Sequence, residues 1–262
     1  MLKNVLNIIR LRGCCYCRVF LCAGLVCLST HQINGEVSDD LPTLNQLYHN
    51  YIEANGGYRH IESLKSVAIK ADFKAKDLDS VKVEIYRKRP SKVLMRKKFD
   101  GYDEELIFNG TKGWIKHSAA NGFQFELKDL SGSDLDVLRS LAVMEGPFFL
   151  IGQQEKNIAS ISRDEVAGKA AYKLEINPDA GIDFSKVWLD RETFQEIKLE
   201  RQIEGDDVTQ SEEIIMSDLN EIDGHFFFFG QEVYIDGVLQ SVSKIQSVRT
   251  NPGIYDNYFE PN

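Results

Sequence analysis

Val81-Lys82-Val83-Glu84-Ile85-Tyr86-Arg87-Lys88-Arg89-Pro90 is the stretch on which the reading of this chain turns. Val81, Val83 and Ile85 share one face of an extended segment, while Lys82, Glu84 and Tyr86 share the other. The same two-residue period carries Arg87 and Arg89 onto the apolar side, just before Pro90. A guanidinium beside an apolar face is costly unless it is paired, or unless that face lines a cavity rather than a solid core. The alternation therefore predicts a strand with one buried face and makes Arg89 the first candidate functional residue. The plainer alternative leaves Arg89 pointing to solvent at the strand end.

The period of two extends outward from this strand. Val67, Ile69, Ala71 and Phe73 alternate with Ala68, Lys70 and Asp72 on its N-terminal side. Turn signals then follow at Asp100-Gly101, Asn109-Gly110, Asn121-Gly122, Asp223-Gly224 and Asp236-Gly237. Between them lie Phe123, Phe125 and Leu127, then Tyr172, Leu174 and Ile176, Ile197 and Leu199, and Val233 and Ile235. This pattern predicts an antiparallel meander whose strands each have one apolar face. Phe226 to Phe229 must occupy both faces of their strand, which predicts cover on both sides.

One helical region precedes the strands and a second interrupts them. Asp39 and Asp40 before Leu41-Pro42 read as an N-cap followed by a first-turn proline. Leu44, Leu47, Tyr48, Tyr51 and Ile52 recur at helical spacing until Asn55-Gly56-Gly57. A short second helix is expected from Tyr58 to Leu64. Midway, Ser133 is expected to cap a segment with the apolar stripe Leu135, Leu138, Leu141 and Ala142, ending near Gly146-Pro147. Phe148-Phe149-Leu150-Ile151-Gly152 follows, apolar on every side. The expected class is mainly β with a helical lid (α+β): one strongly curved antiparallel sheet that either closes on itself or is covered by its helices.

Composition narrows the function. The chain has 262 residues, 43% hydrophobic and 27% charged, an ordinary globular profile. Residues 1–35 carry Lys3, Arg10, Arg12 and Arg18, no acid, an uncharged run over residues 19–28, and then Ser29-Thr30-His31-Gln32. This is the order of a secretory signal peptide, cut after Gly35 or earlier near Ser29. The ten apolar residues are too few to span a bilayer. Residues 36–262 are expected to form one domain with 27 Lys and Arg against 40 Asp and Glu, a balance that disfavours nucleic acid. All five cysteines precede it, so it forms no disulfide and no cysteine metal site. Cys22 and Cys27 lack the small residues that precede a lipidated cysteine, which makes a lipid-anchored form the lesser alternative.

Catalytic constellations are not evident. The five histidines (His31, His49, His60, His117 and His225) are scattered, and His49 with Glu53 reads as a solvated pair. No Gly-x-Ser-x-Gly, phosphate loop or cysteine nucleophile occurs, and Asp206-Asp207 falls in a turn. No enzyme activity, cofactor or metal is expected.

Four segments, in order, resemble the periplasmic lipoprotein carrier family (LolA-like) and its outer-membrane receptor relatives (LolB-like). They are Arg87-Lys88-Arg89-Pro90 ending a strand, the hairpin from Glu105 to Trp114 with Asn109-Gly110 at its turn, Gly146-Pro147-Phe148-Phe149-Leu150-Ile151 after the midway helix, and Asp256-Asn257-Tyr258-Phe259-Glu260-Pro261. The chain departs from that family in ending soon after Phe259 and in a longer region over residues 51–64.

The resemblance implies an unclosed β-barrel whose N-terminal helix and mid-chain insert cover an apolar cavity for acyl chains. It implies a soluble periplasmic carrier that takes the acyl chains of a lipoprotein, or another lipid, toward the outer membrane. Its partners would be an inner-membrane release complex and an outer-membrane acceptor. Arg89 would latch the lid by donating to backbone carbonyls of the helical insert. Phe108, Trp114, Phe125 and Trp188 would be cavity wall. Leu138, Leu141, Phe148, Phe149 and Ile151 would be the lid's inner side. For all of these apolar residues the plainer alternative is ordinary core. A lipid- or envelope-stress-sensing module built on the same barrel is the second function. Arg87, Lys88, Arg89, Lys92, Arg96, Lys97 and Lys98 form a basic cluster able to meet anionic headgroups, or else a solvated strand face.

Overall fold

The computed structural model describes residues 41–204 and 209–261. The expected signal peptide, the cysteines, Asp39, Asp40 and the expected turn at Asp206-Asp207 lie outside the described residues. Six strands come first: β1 Ser66–Ala75, β2 Val81–Lys88, β3 Lys92–Phe99, β4 Tyr102–Phe108, β5 Gly113–Ala119 and β6 Gln124–Leu130. Seven more follow: β7 Ile158–Val166, β8 Lys169–Ile176, β9 Lys186–Asp190, β10 Glu196–Glu204, β11 Thr209–Ile222, β12 His225–Ile235 and β13 Val238–Thr250.

All thirteen strands form one sheet in the order β6-β5-β4-β3-β2-β1-β13-β12-β11-β10-β9-β8-β7. Every pairing is antiparallel, and β1 joins the two halves by pairing with both β2 and β13. A twisted sheet of this width must curl. Val83, Ile85, Met95, Leu106, Leu174, Val187, Leu199, Ile214, Val233 and Ile245, from nine strands, meet in a single buried cluster, so the sheet wraps around its own inner face. It does not close. Its edges are β6 and β7, and the helical insert occupies the chain between them.

The helices are α1 Leu44–Ala54, α2 Tyr58–Ser63, α3 Gly132–Ala142 and α4 Pro147–Ile151. The predicted inner stripe of α1, from Leu44 to Ile52, is buried. Its cap differs from expectation. Thr43, not an aspartate, caps the helix: Gln46 N–H donates to the Thr43 hydroxyl (3.2 Å), and Gln46 Oε1 accepts from Thr43 N–H (2.8 Å). Pro42 therefore precedes the cap instead of filling the first turn. Likewise α3 starts earlier than expected, with extended Ser131 rather than Ser133 at the N-cap. The helix takes over where β6 ends.

The outer face of β3–β5 carries a second, smaller cluster: Leu94, Ile107 and Trp114 beneath Ile254 and Phe259. Lys88 and Lys92 hold the C-terminal turn Asp256–Phe259 there through the Asp256 carboxylate (2.8 and 3.1 Å). Phe226, Phe227 and Phe228 are buried on both faces of β12, as four successive aromatics require.

Candidate functional site

β2 delivers its arginines inward. Val83, Ile85 and Arg87 are all buried, and Arg89 follows at the strand's end. Its guanidinium joins three parts of the fold. Nε donates to the Leu64 carbonyl (2.8 Å) and Nη2 to the Ile61 carbonyl (3.0 Å), while Nη1 donates to Glu145 Oε1 (2.5 Å). The carbonyls belong to α2 and its C-cap, so the expectation that Arg89 grips the insert by backbone carbonyls needs correction. Among the described residues, a single carboxylate, that of Glu145, ties Arg89 to the insert. The reason is reach: α2 lies directly over the end of β2, where Arg89 N–H also donates to the Lys65 carbonyl (2.9 Å).

A second carboxylate holds the insert from the opposite half of the sheet. Glu196, first residue of β10, accepts the Phe148 N–H on Oε1 (2.8 Å). Gly146 leaves room for it, since a Cβ there would push against the Glu196 carboxylate and displace it. Burial pushes this carboxyl up to about 8, although bonds from the Phe148 and Phe149 amides and from the Tyr51 hydroxyl pull the other way. The sign follows from a folded value above the ordinary 4.5. The neutral acid's contribution to stability is fully present below about 4.5 and is lost as pH rises to about 8. Unfolding midpoints in urea are therefore expected to fall across that window, and to fall less in Glu196→Gln. Equal pH slopes for the two proteins would show that Glu196 ionises freely in the fold.

The remaining predicted site residues divide. Leu138, Leu141, Phe148 and Ile151 are buried in the main cluster, and Phe108 joins them from β4. Phe148 is wedged edge-on against Tyr48 and Tyr51, at ring distances of 5.8 and 5.3 Å. Phe149 is half-buried against Tyr58 (6.2 Å), its carbonyl accepting from the Tyr48 hydroxyl (3.2 Å). Trp114 is not cavity wall, because β5 turns it to the outer cluster under Phe259. Trp188 is buried in the main cluster, but on the face opposite its strand neighbours rather than on the inner face. It alternates with the core residues Val187 and Leu189, pairs with Lys173 and Lys198, stacks under the Lys198 ammonium (4.6 Å) and donates to Asp164 (2.9 Å). The Phe125 side chain lies outside the described residues.

The basic cluster is largely neutralised within the fold. Arg96 meets Glu105, Lys97 meets Glu104, and Lys88 and Lys92 share Asp256. Consecutive residues point to opposite faces, so the run makes no single positive surface.

The expected hollow is largely filled. The cavity beside the latch, bounded by Tyr51, Ile61, Leu64, Arg89, Met144, Glu145 and Phe149, holds about 20 Å³, room for about one water molecule. The insert's own Leu138, Leu141, Met144, Phe148 and Ile151 pack the inner face. Sequence reasoning missed Glu145 and Glu196, the two acids that hold this plug. Glu196 carried a faint signal, a carboxylate immediately before the apolar alternation Ile197 and Leu199.

Comparison with known proteins bears on the fold. No family model matches the chain, and no curated protein matches it in sequence. Solved structures do. A DUF1329 family protein from Desulfovibrio piger shares 14% identity at a TM-score of 0.54, covering 84% of this chain and 98% of its own. A LolA superfamily protein from Nitrosomonas europaea shares 11% identity at a TM-score of 0.50, covering 84% and 99%. A proposed outer-membrane lipoprotein-sorting domain from Vibrio parahaemolyticus shares 13% at 0.47, covering 83% and 97%. An open antiparallel sheet of this order, with a helical insert between its two edge strands in the chain, is a LolA-like fold.

Proposed function

We propose that this protein is a soluble periplasmic carrier that binds an acyl chain beneath its helical insert and hands it on toward the outer membrane. A lipid or a lipid-modified protein is the cargo. An inner-membrane release complex and an outer-membrane acceptor are the matching donor and recipient. One observation carries this reading: the apolar side chains of the insert fill the inner face of the sheet, and the insert is tied at one corner by Arg89 and Glu145. An acyl chain replaces the plug at comparable free energy, because each buried CH₂ contributes about 0.8 kcal/mol whichever molecule supplies it. The exchange therefore turns on the polar ties, and charge-assisted bonds of this kind contribute about 1.5–3 kcal/mol.

The inner face is also capped. At the end of the sheet remote from Arg89, Lys97 meets Glu104 (3.0 Å) and His117 lies between Glu104 (3.2 Å) and Glu126 (3.3 Å). Burial works against the Glu104 charge, yet the bonds from His117 and Lys97 hold it at about 2. A hydrocarbon tail gains nothing there, so the latch end is the entrance in this reading.

The test is transfer of a fluorescent acyl lipid between donor and acceptor vesicles. The protein is expected to accelerate transfer, and Arg89→Leu to change that rate by about tenfold or more, the equivalent of about 1.4 kcal/mol. A folded Arg89→Leu protein with an unaltered rate would remove the latch. Failure of the unmutated protein to transfer or retain any acyl lipid would remove the carrier.

A further inference from the structure

We propose that the ligand of this site carries an anionic head, a carboxylate or a phosphate, which takes the place of Glu145 on Arg89. The inference rests on the carrier reading and narrows its cargo. The geometry of the guanidinium supports it. Nε and Nη2 are fixed by the Leu64 and Ile61 carbonyls, which belong to the α2 side and do not leave with the insert. Nη1 alone faces the insert, and its partner is a carboxylate. Glu145 is the only acid among the residues bounding the cavity, and Arg89 the only base. The two side chains are 13% and 22% exposed, shielded enough that withdrawing the insert strands a charge.

A stranded guanidinium in a partly apolar site demands a new counter-ion. A planar fork already pinned on two nitrogens presents the third at a fixed angle, suited to a carboxylate or phosphate oxygen. A neutral head accepts the bond but does not restore the charge, which leaves the weaker of the two interactions. Glu145 thus acts as a built-in competitor, placing the protein's own anion where the ligand's belongs. The long-range field of this acidic chain repels anions, so selectivity falls to this one contact. The cargo so defined is a free anionic amphiphile rather than a lipid chain ending in an uncharged amide or ester.

The experiment compares a fluorescent fatty acid, an alkyl phosphate and the uncharged alcohol of the same chain length, with inorganic phosphate as the tailless control. Binding is measured to the purified protein and to Glu145→Gln and Arg89→Gln. The acid or the phosphate ester is expected to bind at least about tenfold more tightly than the alcohol. That ratio is expected to widen in Glu145→Gln and to collapse toward one in Arg89→Gln. If Arg89→Gln fails to fold, the widening in Glu145→Gln decides. Equal binding of acid and alcohol to the unmutated protein overturns the inference while leaving the carrier intact. A preference that survives in Arg89→Gln does the same. Inorganic phosphate binding as tightly as the amphiphiles makes this a small-anion site and also overturns it. Binding of no probe to any of the three proteins brings down the carrier reading itself.

Discussion

Glu212→Ala is expected to lower the stability of the fold by about 3–5 kcal/mol, because it leaves a buried guanidinium without its counter-ion. Arg201 on β10 and Glu212 on β11 are cross-strand partners, and each is only 1% exposed. Arg201 Nη2 meets Glu212 Oε2, Asp183 stands 3.6 Å from Nη1, and the guanidinium lies over the Phe184 ring at 5.6 Å. Asp183 is 61% exposed, so water screens it too well to replace Glu212. The double variant Arg201→Leu/Glu212→Leu is expected to recover most of the loss, since an apolar pair of similar volume avoids the desolvation of both charges. Urea unfolding of the two single variants and the double decides the matter. If Glu212→Ala costs less than about 1 kcal/mol, water reaches Arg201 in the folded protein.

This pair and the Lys97–Glu104–His117 cluster have a common position. Val83 pairs with Lys97, which pairs with Glu104, which pairs with His117. On the other half, Ala75 pairs with Ser241, Ser241 with Val233 and Val233 with Ile214, two residues from Glu212. Both charge clusters therefore lie toward the Ala75 end of β1, whereas Lys88, next to Arg89, pairs with Ser66 at the other end. The interior grades from an apolar mouth under the insert to an ionic floor. For a carrier, such a floor limits tail depth without a wall of bulk.

How much of this was legible follows from what a periodic pattern can encode. Parity along β2 gave the inward direction of Arg87, and the apolar stripe of α1 gave its buried face. The cavity-wall expectation drawn from the resemblance failed for Trp114 and Trp188 because an aromatic on a strand signals burial without saying which face is covered. Trp114 is buried by a C-terminal turn, and Trp188 by charged neighbours on adjacent strands. Glu145 and Glu196 were invisible for a different reason. Their partners, Arg89 and the Phe148 amide, are 56 and 48 residues away, and no local spacing records such pairings. The sequence also spoke for an inner face covered by the helices, but not for whether a cavity remains beneath them. An insert that is apolar on every side fits a cavity edge and a plug equally well.

That plug supplies the other large effect. Phe148→Ala is expected to lower stability by about 3–5 kcal/mol, since Phe148 is fully buried and its ring meets Tyr48 and Tyr51 edge-on. Little around it can collapse into the space: α1 is pinned by its capping box, and the Phe148 amide is tied to Glu196. Leu150, two residues on and 49% exposed, is the control, and its alanine variant should stay within about 0.5 kcal/mol. The urea dependence separates two ways in which the Phe148 variant can fail. A lower midpoint with an unchanged slope means that the insert remains part of one cooperative core. A lower midpoint with a shallower slope means that the insert has already left the inner face, so that less surface remains to expose. In that second case a saturating acyl ligand should restore stability in proportion to its affinity, by about 2.7 kcal/mol at a hundredfold excess over Kd. A Phe148→Ala protein as stable as the parent would mean that the insert does not pack the inner face, and exchange of plug for ligand would then have no physical basis.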